Sequence, residues 1–211
     1  MTTAEMLDEL REVLDDELPG YGFKEKTVLG YLNEGQDKFC EDTGFFSDTS
    51  TFTITTEAGK AGYALDSRII RVEDVFAGAR RLRKFTAFRV PLSAPDPLLW
   101  DTAIDSSTLT VWPTPSTVQT LSLHTWRYPK AELKATGVMV NPEIPKRMHR
   151  ACIEWAAYKC YGHHDIELQG SAEALKHKAS YRQYVLEGRA LKRNMDAEQI
   201  VTGTEIDGLV V

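Results

Sequence analysis

STLTVWPTPSTVQTLSLHTWRYPKAEL, from Ser107 to Leu133, is the stretch on which the fold turns. Two runs that alternate apolar with polar residues flank Pro113 and Pro115, and the second ends in an aromatic cluster before Pro129. Alternation with a period of two is the mark of a half-buried strand. Proline cannot donate to a central ladder, so Pro113 and Pro115 end one strand and stiffen the turn, and Pro129 ends the next. The stretch reads as the closing hairpin of a β-rich segment.

Upstream, the same period holds back to Phe45. TSTFTITTEAGKAGYALD offers Thr51 to Thr55, a Gly-Lys-Ala-Gly turn and then Tyr63-Ala64-Leu65, a second hairpin signature. RIIRVEDVFAGARRLRKFTAFRVPL continues with β-branched and aromatic residues, and SAPDPLLWDTAIDSS, rich in proline and aspartate, reads as a loop.

On both sides the period changes to that of a helix. TTAEMLDELREVLDDELPG places Met6, Leu7, Leu10, Val13, Leu14 and Leu18 at steps of three and four, with Pro19-Gly20 as the stop. KTVLGYLNEGQDKFCEDTG starts from Thr27 as N-cap, lines up Val28, Leu32, Gln36 and Phe39, and ends at Gly44; Gly30 and Gly35 weigh against it. In NPEIPKRMHRACIEWAAYKCYG, Pro145 suits a first turn and Met148, Ala151, Cys152, Trp155 and Tyr158 share a face. After His163-His164-Asp165 a long helix from Ser171 to about 194 turns Leu175, Ala179 and Leu186 inward. DAEQIVTGTEIDGLVV, residues 196–211, shows no helical period and reads as an extended or disordered arm. The expected class is α+β: a helical body of about four helices from 1–45 and 141–195, an inserted antiparallel β-sandwich or barrel-like subdomain at 46–140, and an extended C-terminal arm at 196–211.

Composition bounds the function. Of 211 residues, 42% are hydrophobic and 27% charged, so the chain can build one substantial core. No stretch reaches the roughly 18 uncharged apolar residues of a membrane span, and the acidic first residues are unlike a signal peptide. Cys40, Cys152 and Cys160 form no CxxC pair and read as small core residues of a chain made in a reducing cytosol. A net charge of −6 disfavours a general nucleic-acid binder. The charge is graded, however: residues 1 to 17 hold seven acids against Arg11, and residues 143 to 193 hold ten Lys/Arg against six Asp/Glu. Such opposed ends favour helix-to-helix attraction within one subunit or between neighbours.

Candidate chemistry is sparse. His163, His164 and Asp165 lack the three or four convergent groups of a zinc site and read as a solvated turn; His124 and His149 have no metal-ligand spacing. There is no GxSxG, no phosphate loop and no recognisable Cys-His pair. Asp15-Asp16 and Glu73-Asp74 read as exposed charged faces. Arg80 to Lys84 fits an edge strand protected by charge. Lys178, Arg182, Arg189 and Arg193 fall within about 60° on the last helix, a basic stripe that is a solvated face, a contact for an acidic partner helix such as a neighbour's N-terminal helix, or a channel contact to DNA. Trp100 and Trp112 would serve a sugar-binding or cell-wall-degrading protein if they lined an exposed groove.

The ordered pieces TLTVWPTP, LSLHTWRYPKAEL, IPKRMHRACIEWAAYKCYG and EALKHKASYRQYVLEG resemble the head-to-tail adaptor proteins of tailed bacteriophages, in particular the short-tailed-phage group that includes the tubular tail protein A family. The resemblance implies a virion structural protein made in the host cytoplasm. It implies a homo-oligomeric ring, usually of twelve copies, that docks beneath the portal protein and receives the tail nozzle or next tail ring. Packaged DNA would pass through the channel without sequence-specific binding, and no cofactor, metal or catalytic residue carries over. A C-terminal arm that grips the portal would place Ile200, Val201, Ile206, Leu209, Val210 and Val211 in that contact. A carbohydrate-binding or cell-wall-degrading virion accessory is the alternative.

Overall fold

The computed structural model describes residues 1–17, 22–85, 97–103, 107–134, 141–163 and 168–206, with the backbone alone for 163, 168–171 and 198–206. The chain divides into a helical unit, Met1–Phe45 with Pro129–Val211, and a strand-built unit, Phe46–Tyr128. The fold class is α+β, as the periodicities imply.

Helix α1 (Thr3–Val13) opens with a capping box: the Thr2 amide donates to Glu5 Oε2 at 2.8 Å and the Glu5 amide donates to Thr2 Oγ1 at 3.2 Å. It ends at Val13, ahead of the expected Pro19-Gly20 stop, which lies outside the described residues. Asp15 takes a positive φ of 52° there, and Arg11 pairs with Asp16 at 2.8 Å. Asp16 also accepts the Gly22 amide at 2.7 Å, so one partly buried carboxylate pins the chain on its way to α2 (Glu25–Thr43). The N-cap of α2 is Lys24 and not Thr27, which sits one turn in and donates its amide to the Lys24 carbonyl. Val28, Leu32, Gln36 and Phe39 are buried, and Gly44 closes α2 at φ 61°.

A 3₁₀ turn (Lys146–Met148) led by Pro145 runs into α3 (His149–His163). Burial on α3 is wider than the single face expected: Ala151, Cys152, Ile153, Ala156, Ala157 and Cys160 are all enclosed, because α1, α2 and α4 (Leu168–Ile206) each pack against it. Trp155 and Tyr158 lie at its half-buried margin. The small side chains let the helices approach closely. A Cβ on Gly35 of α2 would stand 3.0 Å from the Cys152 Cα, and one on Gly188 of α4 would stand 2.6 Å from the Phe39 ring. Gly35 thus serves the α2–α3 crossing, at a cost of about 1 kcal/mol in helix propensity.

Two expectations for α4 are corrected. Leu175, Ala179 and Leu186 face outward; the buried side carries Ala174, Tyr181, Val185 and Gly188. The Phe39 ring against Gly188 and the Tyr181 hydroxyl, which donates to Asp42 Oδ2 at 2.9 Å, fix that face. The backbone also remains helical to Ile206, so most of the segment expected as an extended arm continues α4. Ala197, Glu198 and Gln199 are good helix formers, and extending an existing helix needs no new nucleus.

The helical unit takes back the chain at Pro129. Asn33 of α2 holds the returning chain at Leu133, donating to its carbonyl at 3.1 Å and accepting its amide at 2.7 Å.

Nine strands make up the other unit among the described residues: β1 (Ser47–Asp48), β2 (Thr53–Thr55), β3 (Gly62–Ala64), β4 (Ile69–Ala77), β5 (Arg80–Arg81), β6 (Arg83–Lys84), β7 (Leu99–Thr102), β8 (Thr108–Trp112) and β9 (Thr120–Arg127). They form two sheets, one ordered β1-β9-β4-β5 with β2 also on β9, the other β3-β8-β7-β6. All pairings are antiparallel except β6 with β7. The barrel-like option falls away, since neither sheet closes. Strand β7 lies inside the segment expected as a loop, where half-buried Leu99 and buried Trp100 supply a strand despite the flanking Pro and Asp.

The two expected hairpins are not hairpins. Strands β8 and β9 belong to different sheets, as do β2 and β3. Their connections, 56–61 and 113–119, carry the chain from one sheet to the other and lie against each other. The Thr56 amide donates to the Gln119 carbonyl at 2.8 Å, and Gly59 donates to the Pro115 carbonyl at 2.9 Å. Leu109 and Val111 of one sheet and Leu121 and Leu123 of the other meet in one core with Phe52, Tyr63, Val72, Val75 and Trp100. A two-residue hairpin does occur at β4–β5, around Gly78 at φ 60°. Leu82, buried, links β5 at one sheet's edge to β6 at the other's. The basic run Arg80 to Lys84 is therefore an edge in both sheets.

Where the unit begins and ends, β1 pairs with β9, Ser47 opposite Trp126. Arg127 and Asp48, each 9% exposed, face one another at 3.4 Å. Burial works against the Asp48 charge, yet the Thr51 and Ser50 amides and Arg127 hold its carboxyl below the usual range.

Gly188→Ala is expected to destabilise by about 1–3 kcal/mol, through overpacking against Phe39, whereas Gly30→Ala, on an open helix surface, is expected to stabilise by up to about 1 kcal/mol. Urea denaturation of both reads the contrast. Arg127→Met leaves the Asp48 carboxylate buried without its cation and is expected to cost about 3 kcal/mol in the same assay, largely recovered in the double variant with Asp48→Asn.

Candidate functional site

Helix α4 uses one side to pack on α2 and α3 and leaves the other open. The open side carries Leu175, Ala179, Arg182, Leu186, Arg189 and Arg193, which share a sector of about 80° at 100° per residue. Leu175 and Leu186 are 65% and 64% exposed. Exposed leucines about three turns apart, set among arginines, make an amphipathic seam and not merely a charged surface.

The structure splits the expected basic stripe. Arg182, Arg189 and Arg193 are exposed, but Lys178 turns toward α3, its Nζ 3.3 Å from the Tyr158 hydroxyl and over that ring. Arg189 keeps one link to the body, donating from Nε to the Asp42 carbonyl at 2.7 Å, which satisfies a terminal carbonyl of α2. Sequence reading missed Leu175 and Leu186 as surface residues. The signal available was the competing set Ala174, Tyr181, Val185 and Gly188, also at helical spacing.

Of the C-terminal candidates, Ile200, Val201 and Ile206 lie on the helical backbone of α4, and Leu209, Val210 and Val211 lie outside the described residues. At the opposite end of the sequence, α1 presents Glu5, Asp8 and Glu12 on its exposed side, within about 60°. The inner acid Glu9 is engaged by Arg150 of α3 at 3.1 Å. Part of the opposed charge is thus used within the chain, between α1 and α3.

Of the residues weighed for chemistry, those described are placed as follows. Cys40, Cys152 and Cys160 are buried and form no disulfide; burial raises Cys152 and pushes Cys160 up to about 12, far from a reactive thiolate. His149 is buried with its Nε2 2.8 Å from the Ile144 carbonyl, and desolvation lowers its pKa. His124 packs on Phe76. Asp15 is exposed and Asp16 is not, so that pair is no uniform charged face. Glu73 and Asp74 each pair with an arginine, Arg71 and Arg81. Trp100 is 1% exposed, so it cannot line a sugar groove with Trp112, which packs on Phe85. The side chain of His163, and His164 and Asp165, lie outside the described residues. Among the described residues no group of three or more His, Cys, Asp or Glu is placed to hold a metal ion, and no helix is long and apolar enough to cross a membrane.

Compared with protein families, residues 1–203 match the family described as SU10 adaptor protein. No curated protein matches the chain.

Because Arg182 and Arg193 are exposed and make no hydrogen bond or ion pair among the described residues, Arg182→Ala and Arg193→Ala are expected to change the unfolding free energy by no more than about 0.5 kcal/mol. Tyr181→Phe, which removes a hydrogen bond to the Asp42 carboxylate, is expected to cost about 1.5 kcal/mol. Equilibrium unfolding of the three variants separates surface residues from residues of the body.

Proposed function

The chain belongs to the SU10 adaptor protein family, and from that premise we propose that it is one subunit of a phage head-to-tail adaptor ring. Membership makes it a phage adaptor structural protein, a virion component of the head-tail junction that associates with portal and tail proteins. In the proposed role the ring, of twelve copies, docks under the portal, completes the DNA channel and offers the attachment site for the tail nozzle or next tail ring. The observation that carries this reading is the family match itself, because it runs through the helical unit and the strand-built unit alike.

Charge and surface support it. A net charge of −6 suits a channel through which DNA slides, since phosphate neutralisation by Lys and Arg is what makes nonspecific binding strong. The portal contact is assigned to Ile200, Val201, Ile206, Leu209, Val210 and Val211. With the backbone helical to Ile206, residues 200–206 would dock as the end of a helix laid in a groove, and not as an added strand. Lys178, Arg182, Arg189 and Arg193 belong to the subunit or channel contact, with Lys178 at its inner margin.

Native mass measurement of the protein alone and mixed with its portal tests the role: a ring on the portal is expected, and no gain in mass would sink it. Removing residues 196–211 is expected to weaken portal attachment while the helical signal and thermal unfolding of the rest persist. Undiminished attachment of the truncated chain would remove the C-terminal segment from the contact.

A further inference from the structure

Two exposed helical surfaces of this chain match in charge and in spacing. On α4, Arg182, Leu186 and Arg189 follow one another at steps of four and three; on α1, Glu5, Asp8 and Glu12 follow at steps of three and four. Residues seven apart on a helix lie about 10 Å apart along its axis, so the two outer charges of one surface span the same distance as those of the other. Among the described residues no base is in ion-pair range of Asp8 or Glu12 and no acid is in range of Arg182, Arg189 or Arg193, while Glu5 accepts the Thr2 amide and lies 3.9 Å from the N-terminal amine and Arg189 donates to the Asp42 carbonyl. Leu186, 64% exposed, sits at the centre of the basic surface.

We propose that α4 of one copy lies antiparallel along α1 of a second copy of this chain, Arg182 facing Glu12 and Arg189 facing Glu5. Steps of four and three match steps of three and four only when the helices run in opposite directions, which brings positions 186 and 8 level. Both helices pack on α3 through their other faces, so each copy presents one basic and one acidic surface. Pairing between two different surfaces made once per copy is heterologous: it repeats head to tail and closes into a ring when the rotation allows, whereas a two-fold dimer would need both surfaces of one copy to meet both surfaces of the other at once. The inference rests on the adaptor reading only for the biological setting of the ring; the contact is a property of the chain.

Two full-length variants test it, Asp8→Cys and Leu186→Cys, both at exposed positions of a chain whose own cysteines are buried. Under mild oxidation the mixture is expected to yield cross-linked dimers joining one variant to the other, in excess of dimers formed by either alone. Adding Arg182→Glu to the Leu186→Cys chain is expected to lower that yield about tenfold, and Glu12→Arg in the Asp8→Cys chain is expected to restore it. Three results overturn the proposal: no cross-link in the mixture, equal cross-linking in each single-variant sample, or a yield indifferent to the charge changes. Portal attachment of the same variants is read separately. Attachment without the cross-link sinks only this contact, and the cross-link without attachment sinks only the adaptor role.

Discussion

The insertion of a whole strand-built unit into a helical chain depends on one closure. The chain enters that unit at Phe46 and leaves it at Tyr128. Entry and exit are held side by side because β1 pairs with β9 and because Arg127 donates its amide to the Phe46 carbonyl at 3.1 Å. Strand β1 has two residues, too few to hold by ladder bonds alone. The buried Arg127–Asp48 pair, the amides of Ser50 and Thr51 on the same carboxylate, and the Arg127 guanidinium over the Phe46 ring supply what the short strand lacks. Without that closure, α2 and the segment leading to α3 would be separated by a long loop, and the two ends of the helical unit would have to meet against its entropy.

Given the closure, the helical unit is set by close approach. A helix rich in Ala and Cys has little apolar volume to bury, so α3 gains by enclosure on several sides what it lacks in side-chain size. Enclosure requires thin partners, and Gly35 and Gly188 provide them. Gly35 meets the Cys152 backbone, and Gly188 receives the edge of Phe39, itself fully buried on α2. The three helices therefore fix one another's rotation.

Much of this was legible in residue pattern. Apolar spacing gave all four helices, and alternation gave the strands of the quoted stretch, whose burial alternates along β8 and β9 as the sequence does. Strand pairing was not legible. Period two says only that a residue faces a core, and apolar positions on either side of a turn face the same core whether their strands lie side by side or in opposite sheets. Val111 and Leu121 share a core from opposite sheets. Connection length carried the missing information, since 56–61 and 113–119 both exceed the two-residue turn of β4–β5. The rotation of α4 was hidden for another reason. Apolar residues occupy two of its faces, and contacts with Phe39 and Asp42, the latter 139 positions from Tyr181 in sequence, choose between them.

That choice decides which side chains α4 leaves exposed. Had Leu175 and Leu186 turned inward, Arg182, Arg189 and Arg193, which share their sector, would have turned with them, and Tyr181 and Val185 would have moved to the surface. Because Tyr181, Val185 and Gly188 take the inner side, the leucines are left exposed among Arg182, Arg189 and Arg193, where Arg189 is tied to the body by its hydrogen bond to the Asp42 carbonyl. The packing face and the exposed leucine-arginine face occupy different sides of one long helix. Substitution of the outer residues therefore leaves the interlock at Gly188 and Phe39 untouched.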